Sequence, residues 1–307
     1  MKPKILVLGS SNTDMIIRLD RIPKPGETVL GGAFATAAGG KGANQAVAAA
    51  RAGGAVTFMA RIGRDMFGDQ ALAGLARAGI NVAHVSRDRS APSGVALIFV
   101  ARSGQNSIAV AGGANARLSP AALARAGAAL QEAQMLVLQL ESPLKTVLAA
   151  ARLAKRAGVP VILNPAPAQP LPDELLHCVN ILTPNETEAE LLTGTQVNSA
   201  AAASRAAAKL LQRGVETVII TLGARGALVA TLAGQQIVPG FKVKPVDTTA
   251  AGDVFNGALA VALAEGQPLP EAVRFANAAG ALSVTKLGAQ PSAPRRSEIE
   301  QLLRAQA

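Results

Sequence analysis

The sequence predicts a doubly wound α/β fold: a mostly parallel sheet with helices on both faces, plus a small β-sheet lid. Three observations predict it. Short apolar runs alternate with Ala/Leu-rich stretches, the rhythm of repeated βα units. The apolar runs are nearly continuous, as in strands buried on both faces. Two pairs of shorter β-type segments joined by Pro/Gly turns break the rhythm and read as an accessory sheet.

The expected core strands are Ile5–Gly9, Val56–Ile62, Met135–Leu140, Val159–Leu163, Val179–Leu182, Thr217–Leu222 and Ala227–Thr231. Between them, a helix over Gly42–Ala52 stops at Gly53-Gly54, the expected C-terminal signal. Ser119-Pro120 and Ser142-Pro143 each place an N-cap before a first-turn proline. Thr183-Pro184-Asn185-Glu186 repeats that pattern and adds a capping-box Glu. Ala200–Ala208 is a helix former. The lid strands come from Met15–Leu19 with Glu27–Ala37, and from Ser93–Val100 with Gln105–Val110. The first pair is inserted between the first strand and the first helix, where it could cover a site. Residues 1–307 read as a single domain, with lid strands from about 15–37 and 93–110.

Composition narrows the function classes. Half of the 307 residues are hydrophobic and 16% are charged, which is a globular balance. The start, Met1–Lys4 followed by Ile5–Gly9, looks superficially like a signal peptide. Its apolar run is too short, and Ser10–Asp14 breaks it. No apolar run is long enough for a bilayer, so no membrane partner and a cytoplasmic location are expected. Cys178, the only cysteine, excludes an intrachain disulfide and a Cys-based zinc site. The net charge of +10 fits either nucleic-acid binding or an Arg-rich surface that attracts anionic substrates. No Lys/Arg run occurs and Trp and Tyr are absent, which favours the surface reading and no nucleic-acid partner.

Familiar phosphate motifs are missing. Gly40-Lys41 is followed by Gly42, where a P-loop needs Ser or Thr, and no G-x-G-x-x-G follows the first strand. The only histidines, His84 and His177, are far apart, so a His-based metal site or triad is not expected.

Five other segments carry candidate chemistry. In Asp247–Gly257, small residues Ala250, Ala251 and Gly252 precede an amphipathic helix with Phe255, Leu259, Ala262 and Leu263 on one face. Their N–H groups would point at an anion. Asp253, in the first turn, is either a capping carboxylate or a base for a substrate hydroxyl. Gly39–Gln45 exposes backbone beside a helix start and offers Lys41 and Asn44; it is either a sugar-binding corner or a flexible turn. Gly9–Asp14 lies at the carboxyl end of the first strand, where open α/β sheets bind ligands, and its Asn12 and Asp14 could grip hydroxyls. Asn185–Glu188 suits Mg²⁺ held through water, or is a well-capped surface helix. Thr221–Gly226 could bed a nucleotide or be a plain hairpin turn.

Together and in this order, the five segments resemble the ribokinase-like (phosphofructokinase B) family of carbohydrate kinases. The resemblance runs from Leu8 to beyond Ser292. Gly-Gly-Lys-Gly-Ala-Asn at 39–44 and Asp-Thr-Thr-Ala-Ala-Gly-Asp at 247–253 correspond to the family's two signatures. Val95–Val100, Gln139–Pro143, Leu163–Ala168 and Gly288–Ser292 resemble its ribose-phosphorylating members. The resemblance implies transfer of the ATP γ-phosphate to the 5-hydroxyl of ribose, with Asp253 as general base and Ala250, Ala251 and Gly252 as anion hole. It implies ribose binding by Asn12, Asp14, Gly40, Lys41, Asn44, Glu141 and Asp253. It implies ATP binding by Asn185, Thr221, Gly223, Gly226, Gly252 and Asn277, with Glu188 supporting Mg²⁺. Asp247, Thr249, Ser283, Lys286, Gly288 and Ser292 match the positions around an activating K⁺, with main-chain carbonyls as ligands at 249, 283, 286 and 288. It further implies a homodimer paired through the lids. Thr249 and Ser283 stand where relatives often carry aliphatic residues, and Asn277 where His is also seen. A kinase for 2-deoxyribose or another pentose would share nearly all of these residues. A non-catalytic sugar or nucleotide sensor would not need Asp253.

Overall fold

A computed structural model describes residues 1–306. In chain order its strands are β1 (Lys4–Leu8), β2 (Asn12–Leu19), β3 (Ala33–Gly39), β4 (Ala55–Gly63), β5 (Asn81–Asp88), β6 (Gly94–Ala101) and β7 (Asn106–Ala111). They continue with β8 (Met135–Leu138), β9 (Val161–Leu163), β10 (Ile181–Leu182), β11 (Thr217–Thr221), β12 (Ala227–Thr231) and β13 (Gly234–Val238). Nine form one sheet in the order β13-β12-β11-β10-β9-β8-β1-β4-β5. It is parallel from β11 to β5, with an antiparallel edge at β12 and β13. The other four form a small sheet, β3-β2-β6-β7.

The side-chain period of two divides the core between the two faces of the large sheet. Ile5 and Val7 of β1 join one cluster with Val56, Phe58 and helices Lys41–Arg51, Ala251–Ala264 and Leu269–Ser283. Leu6 and Leu8 join the other, with Met59 and helices Leu144–Ala157 and Ala200–Gln212. Strand order reverses about β1, which lies between β8 and β4. The carboxyl end of β1 is therefore a switch point, where such sheets leave a crevice. The small sheet starts there: β2 follows β1 after only three residues.

One glycine sets the spacing of the site. A Cβ at Gly257 would lie 2.6 Å from Gln45 O and 2.7 Å from Ala49 N. Glycine there lets helix Ala251–Ala264 press onto helix Lys41–Arg51, which brings Asn44 and Gln45 against Asp253.

The structure corrects several expectations. Helix Ala251–Ala264 is not amphipathic: Asp253 to Ala262 are all buried, because neighbouring helices enclose it. Ser119 opens a 3₁₀ segment without a side-chain cap bond, and Pro143 takes the cap position expected of Ser142, whose hydroxyl is buried without a partner. The cap of helix Glu186–Thr193 is Asn185, not Thr183, and its capping box closes through Glu188, not Glu186. Thr183 instead donates to Asn256 Oδ1 at 2.6 Å. Strands β5 and β13 were not expected; both lie at sheet edges, where partly exposed sequences lack the continuous apolar run. The second lid strand begins at Ala33 rather than Glu27, whose carboxylate is bound to Arg21 and to Lys24 N in a turn.

Candidate active site

Asp253 sits in the first turn of helix Ala251–Ala264 and is 4% exposed. Its carboxylate accepts from Asn44 Nδ2 and Gln45 Nε2, both at 3.0 Å. Burial pushes its pKa up, against the pull of Lys41 and these two amides. Gln45 was not anticipated. It is fully buried, donates also to Asn164 Oδ1 at 3.1 Å, and accepts from Gln139 Nε2 at 2.7 Å. Gln45 stands in the Gly39–Gln45 segment, one residue beyond Asn44; only the packing at Gly257 reveals its role.

Ala250, Ala251 and Gly252, the residues expected to form an anion hole, frame the start of this helix. Ala250 holds a left-handed conformation, φ 58°, unusual for a residue with a Cβ. This turn places the helix start over a cavity of about 160 Å³ bordered by Lys41, Asn185, Glu188, Ala250, Gly252 and Asp253. Ala251 N–H bonds Thr248 O at 3.3 Å, whereas the N–H groups of Gly252 and Asp253 have no partner among the described residues. Those two are the free donors of the helix N-terminus, where an anion is favoured.

Glycines press the remaining polar groups together. Helix Lys41–Arg51 starts at Gly40, whose φ of 89° and contact with the Ser11–Asn12 backbone admit no side chain. Glu141 Oε2 ties this corner, accepting from Lys41 N at 3.0 Å and Ser10 Oγ at 2.5 Å. Lys41 is surrounded by Asp253, Glu141 and Glu188; burial lowers its pKa, but these carboxylates win and raise it. Asn44 Oδ1 is buried and unpartnered. Asn12 and Asp14, two apart on β2, share one face of the small sheet. Asp14 borders the cleft of about 970 Å³ between that sheet and Asp247, Thr248 and Gly288. Burial, with Glu141 and Asp253 adding repulsion, raises its pKa to about 6.

A second cleft, about 510 Å³ and mostly apolar, opens on the other side of Thr248. Thr221, Gly223, Gly226, Phe241, Gly252 and Asn277 border it. The 221–226 segment is thus both the hairpin link of β11 to β12 and a cleft wall. Asn277 Nδ2 is spent on Val238 O and Pro239 O at 3.1 and 3.2 Å, so only its Oδ1 can face a ligand. Asn185 likewise uses Oδ1 as a helix cap, and its Nδ2 has no partner among the described residues.

The predicted cation residues divide. Asp247 accepts from Thr249 N at 2.9 Å and Gly288 N at 2.8 Å. These bonds outweigh burial and hold its carboxylate below its ordinary pKa. Ser292 is buried and donates to Ala289 O, and Ser283 donates to Gly280 O. The Lys286 side chain leaves the site to pair with Glu298 at 2.7 Å, which leaves only its backbone available there. A carboxylate kept ionised beside carbonyl-rich turns suits a monovalent cation. Glu188 suits Mg²⁺ through water: Oε2 accepts from Asn185 N at 2.9 Å, while Oε1 has no partner among the described residues. Burial raises its pKa against the Asn185 bond and Lys41.

A buried carboxylate, free helix amides and two clefts meeting at one loop define a phosphoryl-transfer enzyme for a polyhydroxylated substrate. Residues 2–296 match the family described as pfkB family carbohydrate kinase, and the chain belongs to that family. It is 48% identical to ribokinase of Haemophilus influenzae over 99% of both chains. It is 40% identical to deoxyribokinase of Salmonella typhi over 97% of this chain and 98% of that one. The fold superposes on Arabidopsis thaliana ribokinase complexed with ribose and ATP with a TM-score of 0.93, at 36% identity and 99% coverage of both chains.

Proposed function

We propose that the chain transfers the γ-phosphoryl group of ATP to the 5-hydroxyl of D-ribose, giving ribose 5-phosphate. The observation that carries this reading is Asp253: a buried carboxylate gripped by Asn44 and Gln45 beside the free N–H groups of a helix start. Ribose lies under the small sheet, its hydroxyls bound by Asn12, Asp14, Gly40, Lys41, Asn44 and Glu141. ATP lies in the cleft beyond Thr248, its adenine between Phe241 and Asn277 and its phosphates toward Asn185 and Gly252. Asp253 takes the proton of the attacking hydroxyl. The Gly252 and Asp253 amides, with Lys41, stabilise charge on the transferred group. Glu188 would hold Mg²⁺ through water, and the ion supplies charge neutralisation on the phosphates. Asp247, the buried Ser292 and the carbonyls of 249, 283, 286 and 288 would enclose K⁺.

The small sheet serves as lid. Its β7 is exposed throughout, and Phe34, Leu97, Ile108 and Val110 present apolar side chains to solvent. A four-stranded sheet with an exposed edge and apolar surface is a poor free-standing unit, so two lids pair in a homodimer. No helix among the described residues is long and apolar enough to cross a membrane. We infer a cytoplasmic location, which the use of ATP as co-substrate supports.

An ATP-consumption assay across pentoses, hexoses and nucleosides tests the reading. Ribose should give the highest kcat/KM, since a site built to pair a hydroxyl rejects an analogue lacking it. Equal values for ribose and 2-deoxyribose would favour the deoxyribokinase alternative, to which the Salmonella relative gives some weight.

A further inference from the structure

We propose that Asn115, outside the residues named above as sugar ligands, sets the recognition polarity of the sugar pocket by fixing which end of the Asn12 amide faces the substrate. The inference rests on Asn12 being a sugar ligand, as proposed above.

Asn115 lies in the 3₁₀ turn Gly113–Arg117 and is buried. Two backbone groups of Ser11 determine its orientation. Ser11 N–H can only donate, and it meets Asn115 Oδ1 at 3.0 Å. Ser11 O can only accept, and it meets Asn115 Nδ2 at 3.2 Å. A flipped Asn115 would set donor against donor and acceptor against acceptor, so the amide has one allowed orientation. Its second N–H then points to Asn12 at 2.7 Å, and the atom it meets must be the acceptor Oδ1. The Nδ2 of Asn12 is left with no partner among the described residues. Gly94 closes the remaining side, since a Cβ there would collide with both amides.

The consequence is chemical. The ionised carboxylate of Asp14, on the cleft wall, offers the sugar acceptors only, for its hydroxyl hydrogens. Asn12 supplies a donor, so it takes a lone pair of a sugar oxygen. Without Asn115, the Asn12 amide can rotate and present either end, and its fixed donor is lost. Asn115 is thus a positioning residue acting through Asn12.

A double-mutant cycle read by ribose binding calorimetry tests this, using Asn12→Ala, Asn115→Ala and the pair. Asn115→Asp serves as the second variant: it keeps the shape and the bond from Ser11 N–H but cannot donate to Asn12. Losing one oriented hydrogen bond should weaken ribose binding roughly 10–100-fold in each single variant. The double variant should bind ribose no worse than Asn12→Ala alone, and Asn115→Asp should leave ATP affinity little changed. Multiplicative losses in the double variant, or ribose affinity unchanged in Asn115→Asp, would overturn the positioning role and leave Asn12 as a ligand. Unchanged affinity in Asn12→Ala would remove the sugar assignment itself, and this inference with it.

Discussion

Gln45 and Asp253 meet at 3.0 Å across two helices whose close approach requires that residue 257 have no side chain. The contact orients the Asp253 carboxylate and lowers a pKa that burial raises. Gln45→Leu removes the donor with little change of volume. It should lower kcat about tenfold and move the acid limb of the pH–rate profile to higher pH, because the unbonded carboxylate holds its proton more tightly. An unmoved acid limb would show that Gln45 does not tune the base. The variant should also lose roughly 1–3 kcal/mol of stability, since Gln139 and Asn164 lose their partner.

Asp14 couples function to stability. Its pKa in the folded chain, about 6, lies above the ordinary 3.8. Between these values the folded state binds more protons than the unfolded one, so stability falls as pH rises through that window. At neutral pH the charged side chain is a stability cost retained for binding. Asp14→Asn should therefore raise the Tm at pH 7, by an amount worth about 1–3 kcal/mol, and leave it unchanged near about pH 3. The same variant should raise the ribose KM, and the wild-type ribose KM should climb below about pH 6. A lower Tm for the variant at pH 7 would contradict the account.

The cation assignment is separable from the rest. Asp247 kept ionised beside the 283–288 turn should make activity rise when K⁺ replaces Na⁺ at constant ionic strength. Asp247→Ala should abolish that response. Indifference of the wild type to the exchange would remove K⁺ from the mechanism but leave the kinase.

Quaternary structure follows from the lid. Sedimentation should give a dimer, and Phe34→Glu on the exposed lid face should shift it toward monomer. A wild-type monomer at micromolar concentration would contradict lid pairing.

The parallel strands were legible because burial on both faces leaves a continuous apolar run. Edge strands β5 and β13 were not, because exposure dilutes that signal with Asn, His, Arg and Gln. Asp253, Asn44 and Lys41 could be found from small-residue loops beside helix starts. The segments that hold Gln45, Gln139 and Asn164 stood out, but the contacts of these residues and of Asn115 did not: each acts through partners remote in sequence, and no local spacing encodes that. The cap at Asn185 was misplaced by two residues because Thr183-Pro184 and Asn185-Glu186 both carry cap chemistry, and only packing chooses between them.

The most direct measurement is turnover of ribose and ATP by wild type and Asp253→Asn, with folding and ATP affinity checked in parallel. The substitution keeps the shape and much of the hydrogen bonding but removes the base. The predicted kcat loss is roughly 10²–10⁴-fold. The lower end is expected if phosphoryl transfer runs through a loose transition state with little early need for a base. ATP affinity should stay close to wild type, because in the proposed mechanism Asp253 acts on the sugar hydroxyl. A folded Asp253→Asn enzyme that phosphorylates ribose at nearly the wild-type rate would contradict the account and return Asp253 to the role of a helix-terminal carboxylate.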